Sequence, residues 1–390
     1  MSRLVVNTEN SKSGTAGQTE NRLSGLYVHV PFCRSKCLYC DFHSVVSPAA
    51  IPAWLDAVRI EGRLYKERFH IFDSLYIGGG TPTVLDERQL AALMEFLTEG
   101  FAFHSGSEIT VEANPEGLSR QKLKTLRDLG VNRVSLGVQS FDDGELRYLG
   151  RRHSFKQALE AFDILRSLGF ANVGLDLIYG FEIQSLSAWK KTIDRALELD
   201  PEHISCYQLT FEPGASLMKM KTAGCVRPIG KKLETAFFIW TSRYLERHGY
   251  LHDEISNFAR SPELMCRHNR KYWSHVPYLG LGPSAHSFQA GRRWWNVRSI
   301  ERYCRLLAGG NAPVEDAEVL SEEQLDIESL ALGLRTKEGV SLHAWRSGSR
   351  PATPLEEARK SGLVRVDGER ILPTRKGFLV ADSLPLMFCG

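Results

Sequence analysis

The sequence predicts an α/β protein, a partial barrel of six parallel strands joined by helices, followed by a smaller C-terminal domain. From Leu26 onward, short β-branched or aromatic runs alternate with longer segments in which apolar residues recur at helical spacing, the pattern of parallel strands with crossover helices. This alternation stops after Pro213. From about Ser321 the chain has two or three helical segments and two short strands, an order typical of a winged-helix-like module.

The length of the chain favours two domains over one, and its charge indicates no polyanion partner. Of the 390 residues, 43% are hydrophobic and 24% are charged, as in ordinary globular proteins. The 49 Lys and Arg nearly balance the 46 Asp and Glu, so the formal net charge of +3 attracts nucleic acid and anionic membranes only weakly. No apolar run approaches the roughly 20 residues of a membrane span, and the first residues lack a signal peptide's apolar stretch. We therefore expect a cytoplasmic protein.

The first two segments are a tail and the barrel. Residues 7–22 contain no large apolar residue and cannot join a core, so residues 1–24 are predicted to be a flexible tail. In residues 25–230, strands are predicted at 26–30, 74–77, 108–112, 133–138, 172–177 and 203–207. The intervening helices are predicted near 52–68, 87–99, 119–129, 154–168 and 186–198. Several end in Leu-Gly, which suits a left-handed cap.

The remaining segments are an accessory region, 231–320, and the winged-helix-like domain, 321–390. The accessory region has an amphipathic helix at 231–248 and then an aromatic stretch, containing Trp273, that we predict to be irregular. In the C-terminal domain, helices are predicted at 322–334 and 353–361, and strands at 364–366 and 371–373. The second of these helices lacks a basic stripe, so we expect packing or a protein partner rather than DNA.

The strongest chemical signal is a group of cysteines directly after the first predicted strand. Cys33, Cys37 and Cys40 are spaced C-x3-C-x2-C, so three thiolates can converge on one metal centre. A structural zinc site needs four ligands, and no second cysteine pair has a suitable spacing, so zinc would need a distant donor. A four-iron cluster can instead use three cysteines and leave one iron open for a small molecule. The pattern favours the cluster over zinc and over thiols without metal.

With Tyr39 before the last cysteine, this motif resembles that of the radical S-adenosylmethionine (SAM) superfamily. The resemblance implies a partial (β/α)6, TIM-like barrel. It also implies that Cys33, Cys37 and Cys40 hold a [4Fe-4S] cluster whose open iron chelates SAM. In that family, one electron from the cluster cleaves SAM to a 5′-deoxyadenosyl radical.

Further motifs lie at the carboxyl ends of successive predicted strands, where a barrel places its working residues. They are Gly-Gly-Gly-Thr-Pro at 78–82, Glu112 in Val-Glu-Ala-Asn-Pro, Gln139 in Gly-Val-Gln-Ser-Phe and Asp176 in Gly-Leu-Asp-Leu-Ile. Alone, each is more often a tight turn or a solvated group. Together they resemble the subfamily of oxygen-independent coproporphyrinogen III oxidase, from Leu26 onward. This resemblance implies the following SAM contacts: Tyr27, Tyr39, Gly79, Gly80, Thr81, Glu112, Gln139, Arg151, Asp176 and Thr210.

Two features distinguish the chain from the oxidase itself. The oxidase has a further cysteine two residues after the third cluster ligand, whereas this chain has Phe42. Residues 266–273, Cys-Arg-His-Asn-Arg-Lys-Tyr-Trp, contain an H-N-x-x-Y-W motif that resembles the hallmark of HemW-type haem chaperones. The resemblance implies haem near this motif, with His268 as axial ligand or Cys266 as a thiolate alternative. The alternative from the residues alone is a hydrogen-bonded corner in which the aromatic residues pack on the barrel.

Three functions follow from these features. The first is a haem chaperone that carries the cluster, SAM and haem, forms a cofactor-dependent homodimer, and delivers haem to an acceptor such as a membrane respiratory enzyme, visiting the membrane to do so. The second is a radical enzyme acting on a tetrapyrrole, either the oxidase or a haem-modifying methyltransferase. Phe42 and the H-N-x-x-Y-W motif favour the first and argue against coproporphyrinogen oxidation. The third, a winged-helix regulator with a sensor cluster, is disfavoured by the near-neutral charge.

Overall fold

The computed structural model describes residues 23–347 and 352–388, within which the strands form a twelve-stranded sheet and a separate three-stranded sheet. Most of the predicted N-terminal tail, residues 1–22, lies outside the described residues. No helix in the described part of the chain is both long and apolar enough to cross a membrane.

The six predicted strands and the five helices between them are confirmed, with shifted ends and one additional short helix, α4. The order is β1 (Ser24–Val30), α1 (Ile51–Tyr65), β2 (Ile71–Gly79), α2 (Glu87–Gly100), β3 (Ala102–Ala113), α3 (Arg120–Asp128), β4 (Arg133–Gln139), α4 (Asp143–Tyr148), α5 (Phe155–Ser167), β5 (Val173–Tyr179), α6 (Leu186–Glu198) and β6 (His203–Gln208). These strands pair in parallel from β1 to β6.

Alternation along these strands separates the apolar core from the polar interior of the barrel. In β1, Leu26, Val28 and Val30 are fully buried in the main apolar cluster with residues of the surrounding helices. The intervening positions of neighbouring strands carry polar side chains, such as Glu112 in β3 and Asp176 in β5. Since successive strand residues point to opposite faces, the polar side chains of all six strands converge inside the barrel.

The accessory region is more regular than predicted. Its elements are α7 (Ser216–Thr222), α8 (Lys231–Arg247), β7 (Leu251–His252), β8 (Asn257–Ala259), α9 (Arg267–Trp273), β9 (Tyr278–Leu281), β10 (His286–Gln289), β11 (Arg292–Asn296), α10 (Ile300–Ala308) and β12 (Val314–Val319). The prediction of an irregular stretch was wrong, because β9 to β12 extend the sheet beyond β1 and β8 and β7 extend it beyond β6. The strands of this region, from two residues in β7 to six in β12, show no clear period in the sequence.

The C-terminal part contains the predicted helices and strands around a small apolar core. Its elements are α11 (Glu322–Gly333), β13 (Val340–Ser341), α12 (Leu342–Ser347), α13 (Ala352–Lys360), β14 (Val364–Asp367), β15 (Arg370–Pro373) and α14 (Arg375–Phe378). Leu334, Trp345 and Ile371 are buried in this separate cluster. Arg375 Nε donates a hydrogen bond of 2.8 Å to Ser242 Oγ in α8, which ties this domain to the accessory region.

Candidate functional site

The three motif cysteines lie on the loop that leaves β1. Cys33, Cys37 and Cys40 are all half-buried. The loop is anchored by its backbone, since Cys33 N donates to Val45 O at 3.0 Å and Leu38 N donates to Leu149 O at 3.2 Å. The loop is therefore held at the carboxyl end of the barrel strands, with its thiols partly accessible.

The surroundings of the thiols suit a metal centre. Cys33 Sγ lies 3.5 Å from Thr81 Oγ1, and Cys37 Sγ accepts a hydrogen bond of 3.6 Å from Arg151 Nη1. Burial, together with the nearby sulfurs of Cys37 and Cys33, raises the pKa of Cys40 to about 11. The three thiols are not themselves arranged as metal ligands here, since no group of three or more His, Cys, Asp or Glu in residues 23–347 and 352–388 is placed to hold a metal ion; the fit is one of donor chemistry. A bound cluster would supply the positive charge that stabilises three adjacent thiolates, so the donor set fits a [4Fe-4S] cluster.

A glycine turn after β2 lies directly against the cysteine loop. Gly79 has φ +107°, which favours glycine, and a Cβ there would lie 2.5 Å from the His29 ring. A Cβ on Gly80 would lie 2.6 Å from Phe32 O. Gly80 N donates to Val30 O at 2.8 Å, so the turn is tied to the end of β1. The absence of side chains lets two backbone segments approach each other beside the thiols.

Glu112 is held at this turn by two donors. Tyr76 Oη donates to Glu112 Oε1 at 2.8 Å, and Gly79 N donates to Glu112 Oε2 at 3.1 Å. Burial raises the pKa of Glu112 to about 7. A cationic ligand in the barrel mouth would favour the carboxylate form, and SAM carries both an ammonium and a sulfonium group. The side chain therefore fits the contact implied by the sequence.

Asn114 belongs to the site although the sequence analysis missed it. Its Nδ2 donates to Thr81 Oγ1 at 2.9 Å, and its Oδ1 accepts from Arg151 Nη2 at 2.6 Å. Arg151 Nη2 also donates to Gly137 O at 2.7 Å. Asn114 therefore links the glycine turn to the arginine that reaches Cys37. Its place two residues after Glu112 was the available signal, since both side chains then lie on one face.

Gln139 and Asp176 lie at the same end of the barrel. Gln139 ends β4 with φ +66°, an uncommon conformation for a residue other than glycine, and is buried. Asp176 Oδ2 accepts a hydrogen bond of 2.9 Å from Ser135 Oγ, and burial raises the pKa of Asp176. The two residues thus extend the polar lining from β3 to β5.

The other three predicted SAM contacts have different surroundings. Tyr27 Oη lies 3.1 Å from His29 Nδ1, and His29 Nε2 lies 2.8 Å from His43 O. Since a carbonyl only accepts, His29 Nε2 carries the proton and Tyr27 donates to His29 Nδ1. Tyr39 packs into an apolar cluster beside the cysteine loop. Thr210 lies just beyond β6 and is exposed.

The H-N-x-x-Y-W motif lies at the opposite end of the barrel. It forms α9, whose first two backbone N–H groups, of Arg267 and His268, donate to the Glu108 carboxylate at 3.1 and 3.2 Å. His268 is fully buried, with Nδ1 3.1 Å from Ser74 Oγ and Nε2 2.9 Å from Tyr272 Oη. Burial lowers the pKa of His268 to about 3, so the imidazole is neutral.

The haem-ligand roles of His268 and Cys266 stay predictions, and in this arrangement both side chains are buried. Both ring nitrogens of His268 have hydrogen-bond partners, and the ring has no exposed surface. Cys266 is also buried, and burial raises the pKa of its thiol to about 12. Neither side chain can reach haem iron while α9 stays in place. The arrangement instead matches the alternative of a hydrogen-bonded corner packed on the barrel.

Comparisons with known proteins cover most of the chain. The model of the radical SAM superfamily matches residues 27–196, and the model of the HemN C-terminal domain matches residues 320–380. The chain is 35% identical to heme chaperone HemW of Bacillus subtilis over 94% of this chain and 100% of that protein. It is 30% identical to radical S-adenosyl methionine domain-containing protein 1, mitochondrial, of Bos taurus, over 93% of this chain and 86% of that protein.

One solved structure resembles the chain over nearly its whole length. It is the coproporphyrinogen III oxidase HemN of Escherichia coli, a radical SAM enzyme, with a TM-score of 0.82 and 24% sequence identity. The match covers 94% of this chain and 90% of that protein. At this identity the likeness establishes the shared fold of barrel, accessory region and C-terminal domain.

Proposed function

The chain belongs to the HemW family of radical SAM proteins, and on this premise we propose that it is a haem chaperone. In this proposal it binds one haem, holds a [4Fe-4S] cluster with SAM at the carboxyl end of the barrel, and transfers haem to an acceptor protein. The observation that carries the proposal is the relationship to HemW along the full length of that protein. Phe42, in place of the oxidase's additional cysteine, supports it.

Different residues of the barrel would hold the cluster and SAM. Cys33, Cys37 and Cys40 would bind the cluster, which when bound supplies one electron to SAM. The turn at Gly79 and Gly80 packs directly against β1 and the loop after it, where a Cβ at either position would clash, and would place backbone N–H and C=O groups next to the cofactor.

Two carboxylates inside the barrel would pair with the positive charge of SAM. Glu112 receives donors from Tyr76 and Gly79, which hold its carboxylate in one orientation. Asp176, held by Ser135, is a second carboxylate in the same lining. Both have raised pKa values because of burial, so a cation bound between them would stabilise their ionised forms.

The haem site in this proposal depends on whether α9 moves. His268 can serve as axial ligand only if its hydrogen bonds to Ser74 and Tyr272 break and α9 leaves the barrel end. With α9 in place, the axial ligand is another residue. The Soret band of haem bound to His268→Ala distinguishes these cases, because loss of an axial ligand changes the spectrum and loss of a buried corner leaves it unchanged.

Delivery of haem completes the proposal. The acceptor is a haem protein such as a membrane respiratory enzyme, reached from the cytoplasm, and the cluster and SAM regulate a homodimer that carries haem. Mixing the haem-loaded protein with membranes that contain the haem-free acceptor tests transfer, and gel filtration with and without SAM tests the homodimer.

The alternative is a radical enzyme acting on a tetrapyrrole, favoured by the polar lining of Glu112, Gln139, Arg151 and Asp176, which radical chemistry would also need. Anaerobic reconstitution with iron and sulfide, followed by haem titration and by assay with coproporphyrinogen III, SAM and reductant, separates the two. We expect saturable binding of about one haem per chain and no decarboxylated product. Repeated turnover to protoporphyrinogen would favour the oxidase. Phe42→Cys is the matched variant, since it introduces the cysteine that the oxidase has.

A further inference from the structure

The two ends of the barrel are connected by aromatic rings in its interior. The His268 ring stacks on the Tyr76 ring with centroids 5.3 Å apart and planes inclined by 29°. The hydroxyl of Tyr76 then donates to Glu112 Oε1 at 2.8 Å. Tyr27 lies against both rings, at 6.1 Å from His268 and 6.2 Å from Tyr76. The chain of contacts therefore runs from α9 to the carboxylate at the cofactor end.

At the amino end of the barrel, His268 and the helix α9 that carries it are firmly held. The His268 ring is bonded on both nitrogens, and the Glu108 carboxylate holds the first turn of α9. Farther along the helix, Lys271 Nζ pairs with Asp73 Oδ1 at 2.5 Å. Gly25 in β1 permits this close packing, because a Cβ there would lie 2.7 Å from Lys271 Cδ and 2.9 Å from His268 Nδ1. The His268 ring thus forms a fixed surface beneath Tyr76.

We propose that His268 is a positioning residue for the SAM site, which acts through the Tyr76 ring to place the hydroxyl that binds Glu112. The proposal rests on the proposed function in one respect, that Glu112 binds SAM. It is independent of haem binding. It assigns the H-N-x-x-Y-W motif a role at the cofactor site, although the motif itself lies at the opposite end of the barrel.

The electrostatics around Glu112 make this role measurable. The titratable and charged groups that face Glu112 are Tyr27 of β1, Tyr76 of β2, Arg133 of β4, Asp176 of β5, Tyr207 of β6 and Tyr272 of α9. Burial raises the pKa of Glu112, and the Tyr76 hydrogen bond opposes that rise. If the Tyr76 hydroxyl is removed or displaced, the pKa of Glu112 therefore rises further. Fewer molecules then have an ionised Glu112 near pH 7.

The test is the affinity for SAM as a function of pH, measured by calorimetry on the anaerobically reconstituted, haem-free protein. Tyr76→Phe keeps the ring and removes the donor, so we expect SAM binding at pH 7 to weaken roughly tenfold and the pH midpoint of binding to rise. His268→Ala should change both quantities in the same direction. His268→Phe keeps an aromatic surface beneath Tyr76 and should restore much of the affinity.

Arg270→Gln is the matched control, because Arg270 lies on the same helix and its side chain pairs at the surface with Glu338. Its SAM affinity and pH midpoint should equal those of the wild type, and all variants should keep the wild-type iron content. Wild-type SAM affinity and pH midpoint in either Tyr76→Phe or His268→Ala would overturn the proposal. Lost haem binding with unchanged SAM binding in His268→Ala would also overturn it and would make His268 the haem ligand. If His268→Ala does not fold, His268→Leu replaces it, since this side chain fills the space without an aromatic ring and should also weaken SAM binding; wild-type SAM binding in His268→Leu would overturn the proposal. A wild-type protein that binds SAM but no haem would refute the chaperone function and leave this test intact.

Discussion

Both ends of the barrel contain side chains that can bind a metal. These side chains are partly accessible at the carboxyl end and buried at the amino end. At the carboxyl end, Cys33, Cys37 and Cys40 are half-buried next to a glycine turn. At the amino end, Cys266 and His268 are buried and already hydrogen-bonded. A cysteine or histidine is therefore a candidate ligand only where the fold leaves its donor atom accessible.

The difference has a backbone cause. At the amino end, the N–H groups that open α9 are satisfied by the Glu108 carboxylate, which closes the barrel. At the carboxyl end, Gly79 and Gly80 keep side chains out of the space beside the cysteine loop. One end is thus filled by packed side chains, whereas the other leaves its thiols partly accessible. Four predictions test that contrast.

The largest expected effect is on the cluster. Replacement of Cys33, Cys37 or Cys40 by Ala should abolish the iron–sulfur absorbance after anaerobic reconstitution, because a four-iron cluster needs all three protein thiolates. Cys266→Ala is the control and should keep full iron content, since this thiol lies at the amino end and contacts Glu108. A full-strength cluster in all three loop variants would contradict the ligand assignment.

The second prediction concerns stability at the amino end. Lys271 pairs with Asp73 and donates to Leu23 O at 2.6 Å, with only 6% of its side chain exposed. Lys271→Met removes one partner of a largely buried ion pair, so the free energy of unfolding should fall by about 3 kcal/mol, as measured by urea denaturation. The iron content should not change. A variant of unchanged stability that had lost its cluster would reverse the contrast between the two ends.

The third prediction concerns the glycine turn. A Cβ on Gly80 would lie 2.6 Å from Phe32 O, so Gly80→Ala should displace the turn and weaken SAM binding by roughly ten- to hundredfold. Gly100→Ala is the control, because its Cβ would make only an ordinary contact of 3.5 Å with Phe96. Calorimetric titration with SAM compares the two. Equal affinities of the two variants for SAM would show that SAM binding does not depend on the conformation of this turn.

The smallest effect is a pH dependence. Because burial raises the pKa of Glu112 to about 7, SAM binding should strengthen as the pH rises through 7 and should weaken by up to roughly tenfold per pH unit below it. The same shift means that Glu112 stabilises the free fold most below about pH 4.5, its unfolded pKa, and that this contribution is lost as the pH approaches 7. Glu112→Gln should bind SAM weakly and without this pH dependence. Persistence of the wild-type profile in that variant would assign it to another group.

Much of the barrel was predictable because its signals are local. The strands and helices from Leu26 to Gln208 follow from alternation and periodicity, and Cys33, Cys37 and Cys40 from their spacing. The pairing of β9 with β1 was not predictable, because it joins segments far apart in the sequence. The hairpin of β10 and β11 is local, and the sequence analysis missed it because its strands are only four and five residues long. Asn114 was missed because its role comes from Thr81 and Arg151, which only folding brings to it.

The sequence by itself determined the fold class, the cysteine motif and the family, since each depends on residue types at fixed spacings along the chain. Only the tertiary structure decided which of these residues are accessible. His268 and Glu112 are 156 residues apart in the sequence. Inside the barrel, however, Tyr76 contacts both of them. Burial and hydrogen-bond saturation depend on neighbours from many strands at once, so the sequence motif alone could not show that His268 supports the barrel interior.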